Sequence, residues 1–280
     1  MFVYKQYDQT ALDRQYNNRL QVPEYAIHLQ RWEDTSRETE KKFNHFHDIA
    51  YGDHERERLD IYPASKKKSK TLVFIHGGYW HRFDKSLFQF VAEAFVSYEF
   101  TVVLITYPLT PSVPLATIAA SCKKAVRWVH ANIHQYNGDP DELYVAGHSA
   151  GGHLAVMMMC AGPAGMVKGV CAMSGLFDLK PIRLSEINEI VQLDEHAVSR
   201  NSPVDLKPVC RCPMVIAVGS DESDEFIAQS EALYFSWQKH NVPMELLRLP
   251  AINHYSIVES FADINSLLHA AMLQLMSRKN

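Results

Sequence analysis

A chain of 280 residues with 47% hydrophobic and 21% charged side chains has the apolar content to bury one large α/β core or two small ones. Its net charge of -4 lacks the basic face that a nucleic-acid or anionic-membrane partner requires. The first twenty residues hold no apolar stretch of signal-peptide length, and no apolar run reaches membrane-spanning length, so a soluble cytoplasmic protein is expected.

Five cysteines (Cys122, Cys160, Cys171, Cys210 and Cys212) show neither disulfide nor zinc spacing. Cys210-Arg211-Cys212 has no complementary His/Cys pair nearby, so free thiols in a reducing compartment are expected, with no metal and no cofactor.

Residues 1–42 are polar and aromatic (Tyr4, Tyr7, Tyr16, Tyr25, Trp32) and read as one or two helices packed over the domain. Residues 43–51 and 57–62 alternate with period two and form an antiparallel strand pair turning at Gly52-Asp53. His45 and His47 share a face of the first strand, but no third metal ligand is evident. Residues 63–70 are a lysine-rich, solvated loop. The unbroken apolar run TLVFI, 71–75, is a strand covered on both faces, and it ends in His76-Gly77-Gly78-Tyr79-Trp80.

Helical spacing follows over 83–99, a strand over 101–105, and a Pro-rich connection to 114. The stripe Ile118, Cys122, Ala125, Val126, Val129, Ile133 marks a helix over 115–136, stopped by Asn137-Gly138-Asp139-Pro140. A strand at 143–146 runs into Gly147-His148-Ser149-Ala150-Gly151-Gly152 and a buried helix. A strand at 167–174 precedes residues 175–209, a Pro-interrupted helical insertion placed to roof a pocket. A strand at 214–218, a helix at 225–240 with Asp224 as its N-cap, a strand at 244–249 and a closing amphipathic helix at 256–275 complete the chain. Alternating strands and helices predict one α/β domain over 1–280, its mostly parallel sheet flanked by helices, with ligands gathered beyond the strands' carboxyl ends.

Every residue singled out for chemistry falls at such an end. Ser149 sits in G-x-S-x-G between strand and helix, where small neighbours let the chain close around a strained nucleophile. A serine hydroxyl needs a base, and the base needs an acid to fix its tautomer. His254, five residues beyond the last strand, is the candidate base; His148 and His153 read as structural. The acid belongs after the preceding strand, where Glu222 fits and Asp221 is the alternative. The amides of Gly77, Gly78 and Ala150 are candidates for the oxyanion hole. The order Ser, acid, His is that of the α/β-hydrolases.

At His76-Gly77-Gly78-Tyr79-Trp80, at Gly147-His148-Ser149-Ala150-Gly151-Gly152, and at Glu225-Phe226 with Gln229-Ser230, the sequence resembles the kynurenine formamidase (arylformamidase) family, within the esterase/lipase type of α/β-hydrolase. The departure is at the acid, where that family has Asp and this chain has Glu222. The resemblance implies hydrolysis of N-formyl-L-kynurenine to L-kynurenine and formate without a cofactor, with Tyr79 and Trp80 walling the aromatic ring. The only partner it implies is the small-molecule substrate, and it admits a homodimer. A general carboxylesterase acting on aryl or short-acyl esters and a non-catalytic, ligand-binding member of the fold are the competing readings.

Overall fold

A computed structural model describes residues 1–162 and 165–278. Eight strands form one sheet: β1 (Phe46–Ala50), β2 (Arg58–Tyr62), β3 (Ser69–Ile75), β4 (Thr101–Ile105), β5 (Gly138–His148), β6 (Val167–Met173), β7 (Met214–Gly219) and β8 (Met244–Leu249). Their order across the sheet is β1-β2-β4-β3-β5-β6-β7-β8. β1 and β2 pair antiparallel, as does β2 with β4, and all other pairings are parallel. The helices are α1 (Gln9–Tyr16), α2 (Asn18–Gln21), α3 (Tyr25–Lys42), α4 (Phe90–Val96), α5 (Leu115–Asn132), α6 (Ala150–Ala161), α7 (Lys180–Leu184), α8 (Asn188–Val191), α9 (Glu195–Asn201), α10 (Asp224–Trp237), α11 (Ser256–Ala262) and α12 (Leu267–Ser277).

The two-residue repeat of a strand divides the apolar side chains between two cores. Val73, Ile75, Val103 and Ile105 point to the face covered by α5, α6 and α10. Leu72, Phe74, Val102 and Leu104 point to the face covered by α3, α4, α11 and α12. That is why TLVFI carries no polar alternation. Every residue of α6 from Ala150 to Cys160 is buried, so this helix has no polar stripe either.

The parallel register aligns the carboxyl ends. Ile75 lies opposite Gly147, His148 opposite Met173, Met173 opposite Ala217, and Gly219 opposite Leu249. The loops leaving β3, β5, β6, β7 and β8 therefore converge on one edge of the sheet, where an open α/β fold keeps its ligands.

Four sequence expectations need correction. The helix over 83–99 is a 3-10 turn, Lys85–Phe88, followed by α4. Asp84 accepts the Ser86 N–H and starts the tight turn, while buried Lys85 pairs with Asp48 and Asp60 across the fold. The closing helix over 256–275 is two helices. Asp263 accepts the Asn265 N–H, and Ser266 caps α12 through the His269 N–H, which breaks the run at 263–266. α10 is capped by Ser223, whose Oγ accepts the Phe226 N–H, and Asp224 is its first residue. Three helices precede β1 where one or two were expected.

Candidate active site

Ser149 joins β5 to α6 with φ 58° and ψ -119°, a left-handed conformation costly for any residue with a side chain. Its N–H donates to the Met173 carbonyl at 2.8 Å, which pins the turn to β6. The flanking glycines make this closure sterically feasible. A Cβ on Gly151 would lie 2.0 Å from the Ile75 carbonyl oxygen, and one on Gly147 would lie 2.1 Å from the Gly151 oxygen. Helix and strand pass too closely there for any side chain.

The Ser149 hydroxyl faces His254 Nε2 at 3.1 Å. On the other side of the ring, His254 Nδ1 donates to Glu222 Oε2 at 2.7 Å. The second oxygen of Glu222 accepts the Gly219 N–H at 2.8 Å and the Ser174 hydroxyl at 2.6 Å. The Glu222 side chain is wholly buried. A carboxylate whose every contact is a donor is held in one orientation. The alternative acid, Asp221, is exposed, and its carboxylate accepts only from Ser220 Oγ, at 2.9 Å. The geometry of an acid, a base and a nucleophile in hydrogen-bond sequence thus falls on Glu222, His254 and Ser149. Ser174, which steadies Glu222 from the end of β6, was not singled out from the sequence.

The two flanking histidines take structural positions. His148 Nε2 donates to the His254 carbonyl at 2.8 Å, which fixes the backbone that carries the base. Burial and the neighbouring His254 hold the His148 pKa well below its ordinary value. His153 donates to the Asn201 carbonyl at 2.7 Å, and burial lowers its pKa to about 4. His76 stacks on Tyr107 with ring centres 4.3 Å apart and bonds the Gly77 carbonyl at 2.8 Å, and burial lowers its pKa to about 4.

Gly77 packs against the serine: a Cβ there would stand 3.1 Å from Ser149 Cβ. Gly78 follows with φ +109°. Ala150 is the first residue of α6, where an N–H has no partner within its own helix. None of these three amides donates to another group among the described residues. Their N–H groups are therefore candidates for meeting an oxyanion.

A cavity of about 350 Å³ opens over Ser149 and His254, within the ordinary range of small-molecule sites. Tyr79 lines it and donates its hydroxyl to the Tyr16 carbonyl at 2.7 Å. Trp80 does not line it. Its side chain is fully buried and packs edge-on to His153 at 5.1 Å, so the sequence expectation of a ring-walling role fails for this residue. The missing walls come from the first 32 residues: Tyr16, Asn17, Asn18, Arg19, Leu29 and Trp32. Trp32 stands 5.9 Å from Tyr255 and 5.3 Å from Phe88. Tyr16 and Trp32 belong to the aromatic set visible in the sequence, but nothing in their spacing pointed them inward. Glu186, Ile187, Glu189 and Ile190, from the segment between β6 and β7, line it as well.

Away from this cavity, the expectation that His45 and His47 lack a third ligand is overturned. Glu40 Oε1 lies 3.9 Å from His45 Nε2, and His47 sits 3.1 Å from Asp48 and 3.2 Å from Asp60. The chain folds α3 back beside β1, which brings Glu40 within reach. Glu40, His45 and His47, or His47, Asp48 and Asp60, have the spacing to hold a cation, although Lys85 already neutralises Asp48 and Asp60. Among the described residues, no helix is long and apolar enough to cross a membrane.

Comparison with known proteins agrees with this geometry. The BD-FAE family model matches residues 59–234. A kynurenine formamidase of Danio rerio is 30% identical over 243 residues, covering 82% of this chain and 82% of that protein. One from Drosophila melanogaster is 24% identical, covering 80% and 79%. Among solved structures, a Silicibacter protein provisionally labelled a thioesterase superposes with a TM-score of 0.84 at 27% identity, covering 94% of this chain and 98% of its own. The chain belongs to the BD-FAE family of α/β-hydrolases and, with its vertebrate relatives, to the kynurenine formamidases.

Proposed function

We propose that this chain is a serine hydrolase that cleaves the formamide of N-formyl-L-kynurenine, releasing L-kynurenine and formate. The observation that carries this reading is the unbroken series from Glu222 through His254 to Ser149, at 2.7 and 3.1 Å, beneath a cavity walled in part by aromatic side chains. Its substrate class follows from likeness to the formamidases of Danio rerio and Salmo salar.

In this mechanism Ser149 Oγ attacks the formyl carbon while His254 Nε2 takes its proton. The carbonyl oxygen becomes negative and is met by the amides of Gly77, Gly78 and Ala150. Collapse breaks the C–N bond, and the imidazolium of His254 protonates the departing aryl amine. Water then enters, gives its proton to His254 and attacks the formyl-enzyme, which frees formate and restores the Ser149 hydroxyl. Glu222 orients the His254 ring and stabilises the imidazolium. The five cysteines are free, in keeping with the reducing cytoplasm as the site of action.

Turnover of N-formyl-L-kynurenine by wild type and by Ser149→Ala tests the proposal. The variant is expected to lose activity by about 10⁴-fold or more while keeping its fold. Comparable turnover by the variant refutes a serine mechanism. The same machinery acts on esters, and the thioesterase label of the Silicibacter structure favours an ester side activity. Preference for p-nitrophenyl acetate over the formamide would make the ester reading the main one.

A further inference from the structure

Four charged side chains that line the cavity make no ion pair among the described residues. Among the described residues, the arginine ion pairs are made by Arg31, Arg37, Arg183, Arg248 and Arg278. Arg19, on α2, and Arg82, in the loop after β3, make none among the described residues, yet both line the cavity. The Arg19 guanidinium rests over the Tyr25 ring at 5.2 Å. Partial burial, and after it the charge of Arg19, lower the Arg82 pKa. His81 beside them is held to about pKa 4 by burial and by both arginines, so it is neutral near pH 7 and adds no third charge.

Glu186 and Glu189, from the segment between β6 and β7, are exposed and line the same cavity. The Glu186 carboxylate accepts from Asn17 Nδ2 at 3.3 Å while its N–H donates to Asp13 Oδ1 at 2.7 Å, and neither Glu186 nor Glu189 forms an ion pair among the described residues. Two cations and two anions thus share one cavity without neutralising each other.

We propose that these four form a subsite for the zwitterionic head of an α-amino acid, with Arg19 and Arg82 holding the carboxylate and Glu186 and Glu189 facing the ammonium. The proposal rests on the formamidase reading and deepens it: the aryl formamide enters toward Ser149 and the amino-acid head stays at the rim. Guanidinium groups suit a carboxylate because their N–H donors match its two oxygens. These four are positioning residues. They touch neither the formyl carbon nor the leaving nitrogen, so they act on binding rather than on bond cleavage.

The test compares N-formyl-L-kynurenine with N-(2-acetylphenyl)formamide, the same aryl ketone stripped of its amino-acid head. Wild type, R19Q/R82Q and E186Q/E189Q are assayed on both. For N-formyl-L-kynurenine, R19Q/R82Q is expected to raise KM about tenfold or more with kcat within about twofold, and E186Q/E189Q to raise KM by a smaller factor. Turnover of the headless formamide should be the same in all three proteins, which also shows that the variants are folded. Equal weakening on both substrates, or no change on N-formyl-L-kynurenine, overturns the subsite. Wild type that cleaves p-nitrophenyl acetate but neither formamide overturns the formamidase reading, and this proposal with it; the two failures are therefore distinguishable.

Discussion

Glu222→Gln separates an orienting acid from a merely buried one. In the native site, Glu222 Oε1 accepts two donors, the Gly219 N–H and the Ser174 hydroxyl, while Oε2 accepts from His254 Nδ1. A glutamine has one oxygen and one NH₂. The two fixed donors demand that the oxygen take the Oε1 position, so the NH₂ must face His254. The ring then presents Nδ1 as acceptor and carries its proton on Nε2, 3.1 Å from the Ser149 hydroxyl. A protonated Nε2 cannot take the serine proton. Forcing the wrong tautomer costs a triad about 10⁴ in kcat, equivalent to about 5.4 kcal/mol of transition-state stabilisation. The fold should survive, because both buried donors keep an acceptor. Asp221→Asn is the control: that side chain is exposed and contacts only Ser220, so its activity should stay within about twofold of wild type. Steady-state kinetics on N-formyl-L-kynurenine, with thermal melts alongside, reads both. A Glu222→Gln enzyme retaining more than about a tenth of wild-type kcat, or an Asp221→Asn enzyme falling with it, would refute the assignment of the acid.

Gly151→Ala drives a methyl to 2.0 Å from a backbone carbonyl that cannot retreat without moving β3. A loss of about 3 kcal/mol or more is expected in urea unfolding, and near-wild-type stability would mean that the elbow is looser than described. Acid should destabilise the protein early, because His76 and His153 are held near pKa 4 and His148 well below 6.5, all mainly by burial. The unfolded chain binds these protons as pH falls through about 6.5, and the folded chain does not. Stability is therefore full above that pH and lost on the way down to about 4, at about 1.4 kcal/mol per pH unit for each histidine; a urea midpoint unchanged between about pH 7 and 5.5 would contradict it. Trp32→Ala, which opens the cavity wall and empties a buried aromatic site, should cost about 3–5 kcal/mol and raise KM more than it lowers kcat. A drop confined to kcat would place Trp32 nearer the chemistry than the cavity suggests.

The parallel strands were readable because burial on both faces removes polar alternation, as in TLVFI, and the catalytic side chains were readable because each follows such a strand. Glu222 and Asp221 could not be separated, since the choice depends on which way one loop bends, and the bend is set by Ser174 and the Gly219 amide, the first of them distant in sequence. The helix over 83–99 misled for a similar reason. Its apolar spacing is real, but Lys85 finds Asp48 and Asp60 on another element, and that pairing accompanies a tight turn where a continuous helix was expected. Trp80 follows the glycine turn in sequence yet points into the core, while Trp32, far away in the chain, forms the wall.

That contrast reflects a division of labour in the chain. The reacting groups leave the ends of β5, β7 and β8, whose register is fixed by ladder hydrogen bonds and by two apolar cores, so their mutual distances follow from the sheet. The cavity above them is walled by α1 to α3 and by the segment between β6 and β7, whose places are set by tertiary packing and by long-range bonds such as Tyr79 to the Tyr16 carbonyl, Gln229 to the Tyr16 hydroxyl, Glu259 to His28, Arg31 and Trp32, and the Glu186 N–H to Asp13. Substitutions in these walls can change the shape and charge of the mouth without shifting the serine, the imidazole or the waiting amides. Chemistry is thus built into the periodic part of the sequence, where patterning reveals it. Substrate choice is built into segments that only tertiary packing brings over the site, which is why one machinery serves formamides and esters alike.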